Sequence, residues 1–63
     1  MLVIIRNTGS TAVFKEYESF QIYRDNEKQC HICRVVDKSG YTLCFDNVVH
    51  VEVLENGEKH EFL

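Results

Sequence analysis

The sequence predicts an all-β fold: a small antiparallel meander of five to six short strands, closed as an SH3-like barrel or as a strongly bent sheet. Short runs rich in valine, isoleucine, phenylalanine and tyrosine recur along the 63 residues, and turn-forming residues separate them. Some of these runs alternate between apolar and polar side chains, which is typical of half-buried strands. The chain contains no proline and no long amphipathic pattern of the kind that predicts a helix.

Length and composition predict a single small β domain over residues 1–63. A chain of this size buries only about 60% of the surface that its unfolded form exposes. The apolar share of 44% argues against a disordered chain. No stretch approaches the roughly 18 apolar residues of a membrane span, and the apolar start lacks the features of a signal peptide. We therefore expect a cytoplasmic protein that does not enter the membrane.

The first half of the chain predicts three strands. Leu2 to Arg6 is apolar on both sides, as in a covered strand. A turn follows in which Gly9 can adopt positive φ, and residues 12–14 then resume strand character. Residues 20–24 alternate in polarity. A helix over residues 15–24 is the rival prediction, but aromatic and β-branched residues favour a strand.

Residues 28–46 predict the central hairpin, with residues 37–40 as its turn. A turn centred on Lys38 and Ser39 makes the numbers of facing residues sum to 77. The resulting pairs are Val36 with Tyr41, Arg34 with Leu43 and Ile32 with Phe45 on the expected core face, and Val35 with Thr42 and Cys33 with Cys44 on the other face. A turn centred on Ser39 and Gly40 would shift this register and break the pairs.

The last part of the chain predicts a second hairpin. Residues 48–55 alternate, with Val49, Val51 and Val53 on one face. Asn56 and Gly57 are the dipeptide most typical of a two-residue type I′ turn. Such a turn pairs Val53 with His60 and Val51 with Phe62, so that the final strand, Lys59 to Leu63, ends on the core side.

Three cysteines and one histidine suggest an alternative, a zinc-stabilised β domain. Cys30, Cys33, Cys44 and His50 have the spacing C-x2-C-x10-C-x5-H, which resembles a Cys3His zinc site. In an extended strand, however, the odd spacing of Cys30 and Cys33 directs their side chains to opposite faces. We therefore favour packed thiols and expect no cofactor. A disulfide between Cys33 and Cys44 is a further alternative, although an odd number of cysteines leaves at least one thiol free.

Two other functional classes find less support. Arg24, Lys28, Arg34 and Lys38 surround the central hairpin, where Tyr23 and Tyr41 could stack on bases of a nucleic acid. The net charge of −3 and nearby carboxylates make nucleic-acid binding a minor alternative. The histidines are isolated, and no serine or cysteine stands in a recognisable nucleophile context, so we expect no enzyme.

More apolar strand surface is present than one small core can cover, which predicts an interaction surface. We expect a non-catalytic protein-binding or regulatory module that binds a protein partner or self-associates, as a homodimer or a larger oligomer. The expected outward-facing contact residues are Tyr23, Val35, Tyr41 and Leu54. In its size, acidic charge and lack of catalytic apparatus the chain resembles the accessory and inhibitor proteins of phages and mobile elements.

Overall fold

The computed structural model describes residues 1–62, which form seven β-strands. The strands are β1 (Leu2–Arg6), β2 (Thr11–Phe14), β3 (Ser19–Asp25), β4 (Cys30–Val36), β5 (Thr42–Phe45), β6 (Val48–Val53) and β7 (Glu58–Glu61). They make a four-stranded antiparallel sheet in the order β2-β1-β6-β7 and a three-stranded antiparallel sheet in the order β3-β4-β5. The all-β prediction is confirmed in its bent-sheet form, because within residues 1–62 the sheets do not close into a barrel, although seven strands form where five to six were predicted. The same residues include no helix able to cross a membrane.

Local hairpins join most neighbouring strands, but the four-stranded sheet depends on one long-range pairing. β1 pairs with β6, so that Leu2 faces Val53 and Ile4 faces Val51. The register shifts near the end of β1, where Ile5 faces His50 but Arg6 faces Val48, so β6 carries one extra residue. Such a bulge bends the strand. Val48 thereby joins the hydrophobic core, with 2% of its surface exposed.

The core lies between the two sheets. Leu2, Ile4 and Val51 of the first sheet pack against Cys33 and Val35 of the second, and all five are fully buried. The odd-numbered face of the central strand β4 is therefore the core face, and the prediction that the even-numbered face forms it is wrong. Of the three residues predicted there, Ile32 is buried with 5% of its surface exposed, Val36 is half-buried and Arg34 is exposed. Val35 was predicted to face outward, but its side chain is inaccessible to a partner.

The turn between β4 and β5 explains why the predicted face was inverted. The loop has three residues, Lys38 to Gly40, because the Asp37 amide donates a hydrogen bond to the Tyr41 carbonyl oxygen (2.9 Å). Gly40 takes φ +91°, as the third residue of such a loop requires. An Asp37 carboxylate oxygen accepts from the Ser39 and Tyr41 amides, at 2.9 and 3.0 Å. The numbers of facing residues therefore sum to 78 rather than to the predicted 77.

This one-residue shift replaces every pair predicted for the hairpin. The observed pairs are Cys33 with Phe45, Arg34 with Cys44, Val35 with Leu43 and Val36 with Thr42. Because side chains alternate along a strand, a shift of one residue exchanges the two faces of β5 relative to β4. The predicted pairing of Cys33 with Cys44 is therefore wrong.

The turn between β6 and β7 also differs from the predicted type I′ turn. Val53 pairs with Glu58, which leaves a four-residue loop, and Val51 pairs with His60. Gly57 alone adopts positive φ in this loop (+76°). The Asn56 side chain instead accepts a hydrogen bond from the Glu58 amide at 2.9 Å. The predicted pairs Val53–His60 and Val51–Phe62 are therefore wrong, although Phe62 does pack against the core.

The predicted face of Val49, Val51 and Val53 is wrong at its first member, because the bulge places Val48 rather than Val49 in the core. The predictions for the first turn and for β3 agree with the structure. Gly9 adopts φ +88° in the turn between β1 and β2. Residues 19–25 form β3 rather than a helix, and they pair along their whole length with β4. The strand therefore prevails over the helix where aromatic and β-branched residues are concentrated.

We expect Val35→Ala to lower the free energy of unfolding by about 2 kcal/mol, because it opens a cavity in the sealed core. Val13→Ala is the matched control, since Val13 also lies in a strand but is 52% exposed. Its effect should stay within about 0.5 kcal/mol. Urea unfolding followed by circular dichroism measures both values. Equal losses for the two variants would contradict the core described here.

Candidate interaction site

The structure does not bring the four predicted zinc ligands together. Cys33 faces the core, whereas Cys44 is exposed on β5. His50 lies on the outer face of the first sheet, because its neighbour Val51 faces the core. Within residues 1–62 no three histidine, cysteine or acidic side chains form a group able to hold a metal ion. The geometry therefore gives the zinc alternative no support.

His50 is instead surrounded by carboxylates. Its Nε2 lies 3.1 Å from Glu52 Oε1, and its Nδ1 lies 3.6 Å from Glu61 Oε1. Glu52 follows on the same face of β6, and Glu61 is the cross-strand neighbour on β7. This polar cluster gives the β6–β7 half of the first sheet a hydrophilic outer surface.

The three cysteines are free thiols in different environments. Burial raises the pKa of the Cys33 thiol from 9.0 to about 11, and the neighbouring Cys44 adds to the shift. At neutral pH Cys33 is therefore a protonated, unreactive thiol. Cys30 is also buried, with 8% of its surface exposed, whereas Cys44 is open to solvent.

The basic residues of the central hairpin do not gather on one surface. Lys28 lies in the turn before β4 and Lys38 in the turn after it, so the whole strand separates them. Arg24 and Arg34 lie on opposite faces of the second sheet, since Arg24 pairs with His31 and Arg34 with Gln21. Lys38 also lies 4.0 Å from Glu18. No continuous basic stripe for nucleic acid results from this placement.

Three of the four predicted contact residues are exposed, but they lie on different elements. Tyr23 is on β3, Tyr41 immediately precedes β5, and Leu54 is in the turn after β6; their exposed fractions are 46%, 71% and 49%. Leu43, 42% exposed on β5, is an apolar surface residue, whereas its predicted place was in the core. Whether any of these side chains contacts a partner remains a prediction.

One side of the molecule carries two sheet edges without a charged residue. β2 is an edge of the first sheet and β5 an edge of the second. The sequences are Thr-Ala-Val-Phe for β2 and Thr-Leu-Cys-Phe for β5. The two edges are neighbours, because the Phe14 and Phe45 rings meet edge to face with centroids 5.8 Å apart. Val13 and Leu43 add exposed apolar surface to this side.

The other two edges carry the charges that discourage strands from pairing with another chain. β7 has the sequence Glu-Lys-His-Glu. The apolar residue Phe62 follows it and packs against the core. β3 carries Arg24 and Asp25. The contrast marks the neutral pair of edges, β2 and β5, as the surface available for association.

Comparisons with known proteins add no relative. No protein-family model, no curated protein and no solved structure matches this chain. The functional argument therefore rests on the chemistry of the described residues.

We expect one thiol to react rapidly with a disulfide reagent at about pH 8 and the other two at least about tenfold more slowly, because Cys30 and Cys33 are buried. Absorbance of the released thiolate measures the phases. Cys44→Ala should remove the fast phase alone. Loss of a slow phase in that variant would contradict the assignment.

We also expect the stability of the protein to fall between about pH 9 and about pH 11 through Cys33. In this window the unfolded chain releases the thiol proton while the folded chain retains it, so rising pH favours unfolding. The loss is at most about 3 kcal/mol. Lysines and tyrosines titrate there too, so the measurement is the difference in unfolding free energy between the native protein and Cys33→Val. A difference that does not change with pH would contradict this origin.

Proposed function

We propose that the protein is a non-catalytic binding module that self-associates through the β5 edge. The occupant of this edge is a second copy of the chain, with two β5 strands paired antiparallel about a two-fold axis. The observation that carries the proposal is an uncharged edge strand with Leu43 and Tyr41 exposed at 42% and 71%. Such an edge presents unpaired backbone groups and is a template for another strand.

Charge favours a second copy as the occupant. The chain has a net charge of −3, so most contacts between copies bring like charges together. Across β5 no side chain is charged, and an antiparallel pair about a two-fold axis places this strand against itself. Backbone hydrogen bonds and apolar side chains can therefore be added without like-charge repulsion.

The pairing would join the two three-stranded sheets into one sheet of six strands. Cys44 lies beside Arg34 on the face away from the core, and Tyr23 lies beside Ile32 on that same face. A continuous sheet extends this face across both copies. Tyr41 immediately precedes β5 and would lie next to the paired strands. Tyr23 lies on the extended face, two strands away on β3, and Leu54 is in the β6–β7 turn of the other sheet.

A role by binding rather than catalysis is also part of the proposal. The buried thiol of Cys33 is held protonated, and His50 is engaged with Glu52 and Glu61. Regulation of another protein, in the manner of a phage or mobile-element accessory or inhibitor protein, is the broader role we propose from the small size and acidic charge of the chain.

We expect the native protein to form a dimer and Leu43→Lys to weaken it at least about tenfold, because a lysine on an edge strand opposes pairing. Leu54→Lys is the matched control: Leu54 is the same residue type with similar exposure, but it lies in a turn. Its dimer should be unchanged. Sedimentation equilibrium gives the dissociation constants, and circular dichroism verifies that each variant is folded.

Three results would overturn the proposal. The first is a native protein that remains monomeric up to about 1 mM, a concentration at which even weak specific pairs associate. The second is an equal loss of association in Leu43→Lys and Leu54→Lys. The third is a dimer lost only in Leu54→Lys, which would transfer the interface to the β6–β7 turn.

A further inference from the structure

We propose that a cleft at one end of the two sheets, separate from the β5 edge, binds the carboxylate of a small organic molecule through Arg24. The cleft has a volume of about 240 Å³. Its polar lining comes from Asn7, Arg24, Gln29, His31 and Asn47, and Val48, Val49 and Phe62 contribute apolar surface. None of the residues lining the cleft belongs to β2 or β5.

The charge of the lining favours an anion. The sequence contains ten aspartates and glutamates, yet none of them lines this cleft. Among the described residues that line the cleft, Arg24 carries the permanent charge, and it takes no part in the ion pairs formed within residues 1–62. A guanidinium can donate two parallel hydrogen bonds to a carboxylate. In a protein of net charge −3, a local site of this sign is a specific feature rather than a general property of the surface.

The backbone of the cleft is held in an uncommon conformation at two positions. Gln29 and Asn47 both have φ +53°, and within residues 1–62 they are the non-glycine residues with positive φ. This conformation is unfavourable for a residue that carries a side chain. The Asn47 carbonyl oxygen accepts a hydrogen bond from the Asn7 amide at 2.8 Å, which fixes that part of the rim. Both residues line the cleft.

An apolar wall stands beside these polar groups. The His31 ring stacks on Phe62 with centroids 3.9 Å apart and an interplanar angle of 11°. Arg24 is the cross-strand neighbour of His31, so the charge lies next to the stack. A ligand with a carboxylate and a small apolar body matches this combination. The volume suits a molecule smaller than the usual drug-sized ligand, whose pockets begin at about 300 Å³.

Titration of the whole protein with sodium benzoate, followed by ¹H–¹⁵N correlation spectra, tests the proposal. We expect saturable shifts at Arg24, His31 and Val49 and their neighbours, with a dissociation constant below about 10 mM. Benzamide, which has the same ring without the charge, should bind at least about tenfold more weakly. Inorganic phosphate tests whether a bare anion suffices; phosphate binding equal to that of benzoate would overturn the role of the apolar wall.

Arg24→Gln should weaken benzoate binding about tenfold or more, because it removes the charged donor. Arg34→Gln is the matched control, since Arg34 is an exposed arginine on the neighbouring strand with its side chain on the opposite face of the sheet. Its affinity should equal that of the native protein. Equal losses in both variants, an unchanged affinity in Arg24→Gln, or shifts that do not saturate would overturn the site. Because Leu43→Lys leaves the cleft intact, benzoate binding in that variant separates this proposal from the one for β5.

Discussion

The pairing of β1 with β6 is the contact on which the rest of the structure depends. It joins a hairpin from the start of the sequence to one from its end and makes a single four-stranded sheet. Two-stranded hairpins are marginal in water, so neither would be stable alone. Ile4 faces Val51 and Leu2 faces Val53 across this pairing, and all four side chains belong to the core cluster. The second sheet then packs against a surface that exists only because these two strands are adjacent.

The edge strands on the two sides of the molecule differ in charge, and the proposed function depends on this difference. β3 and β7 have charged residues that protect them from pairing, while β2 and β5 have none. The Phe14–Phe45 contact places the unprotected edges together. The composition of the chain does not indicate this arrangement, because its net charge is only −3 and it contains both basic and acidic residues. The cleft near Arg24 is a second local exception, because its described lining is positively charged in a chain of net negative charge.

Much of the fold could be read from the sequence, because strand residues and turn residues are well separated in it. The strand register could not, because it depends on loop lengths that one residue changes. Gly40 ends a three-residue loop and Gly57 a four-residue loop, and both residues also fit the shorter turns that were predicted. The first difference inverted the predicted face of β4 relative to β5, which is why Val35 was predicted to lie on the surface. Leu43 pairs with Val35 on the core side, but it lies on an edge strand, where 42% of its surface is exposed. The cleft could not be foreseen at all, since residues as distant as Asn7 and Phe62 meet there only through tertiary pairing.

The β1–β6 pairing also has a consequence for how the protein folds. Leu2 pairs with Val53, so β1 gains its second neighbour only when segments about fifty residues apart in the sequence come together. Until then β1 is paired with β2 alone, and its other edge is open. Before the two hairpins meet, the open edge of β1 and its uncovered apolar side chains are therefore the surface that a chaperone can bind.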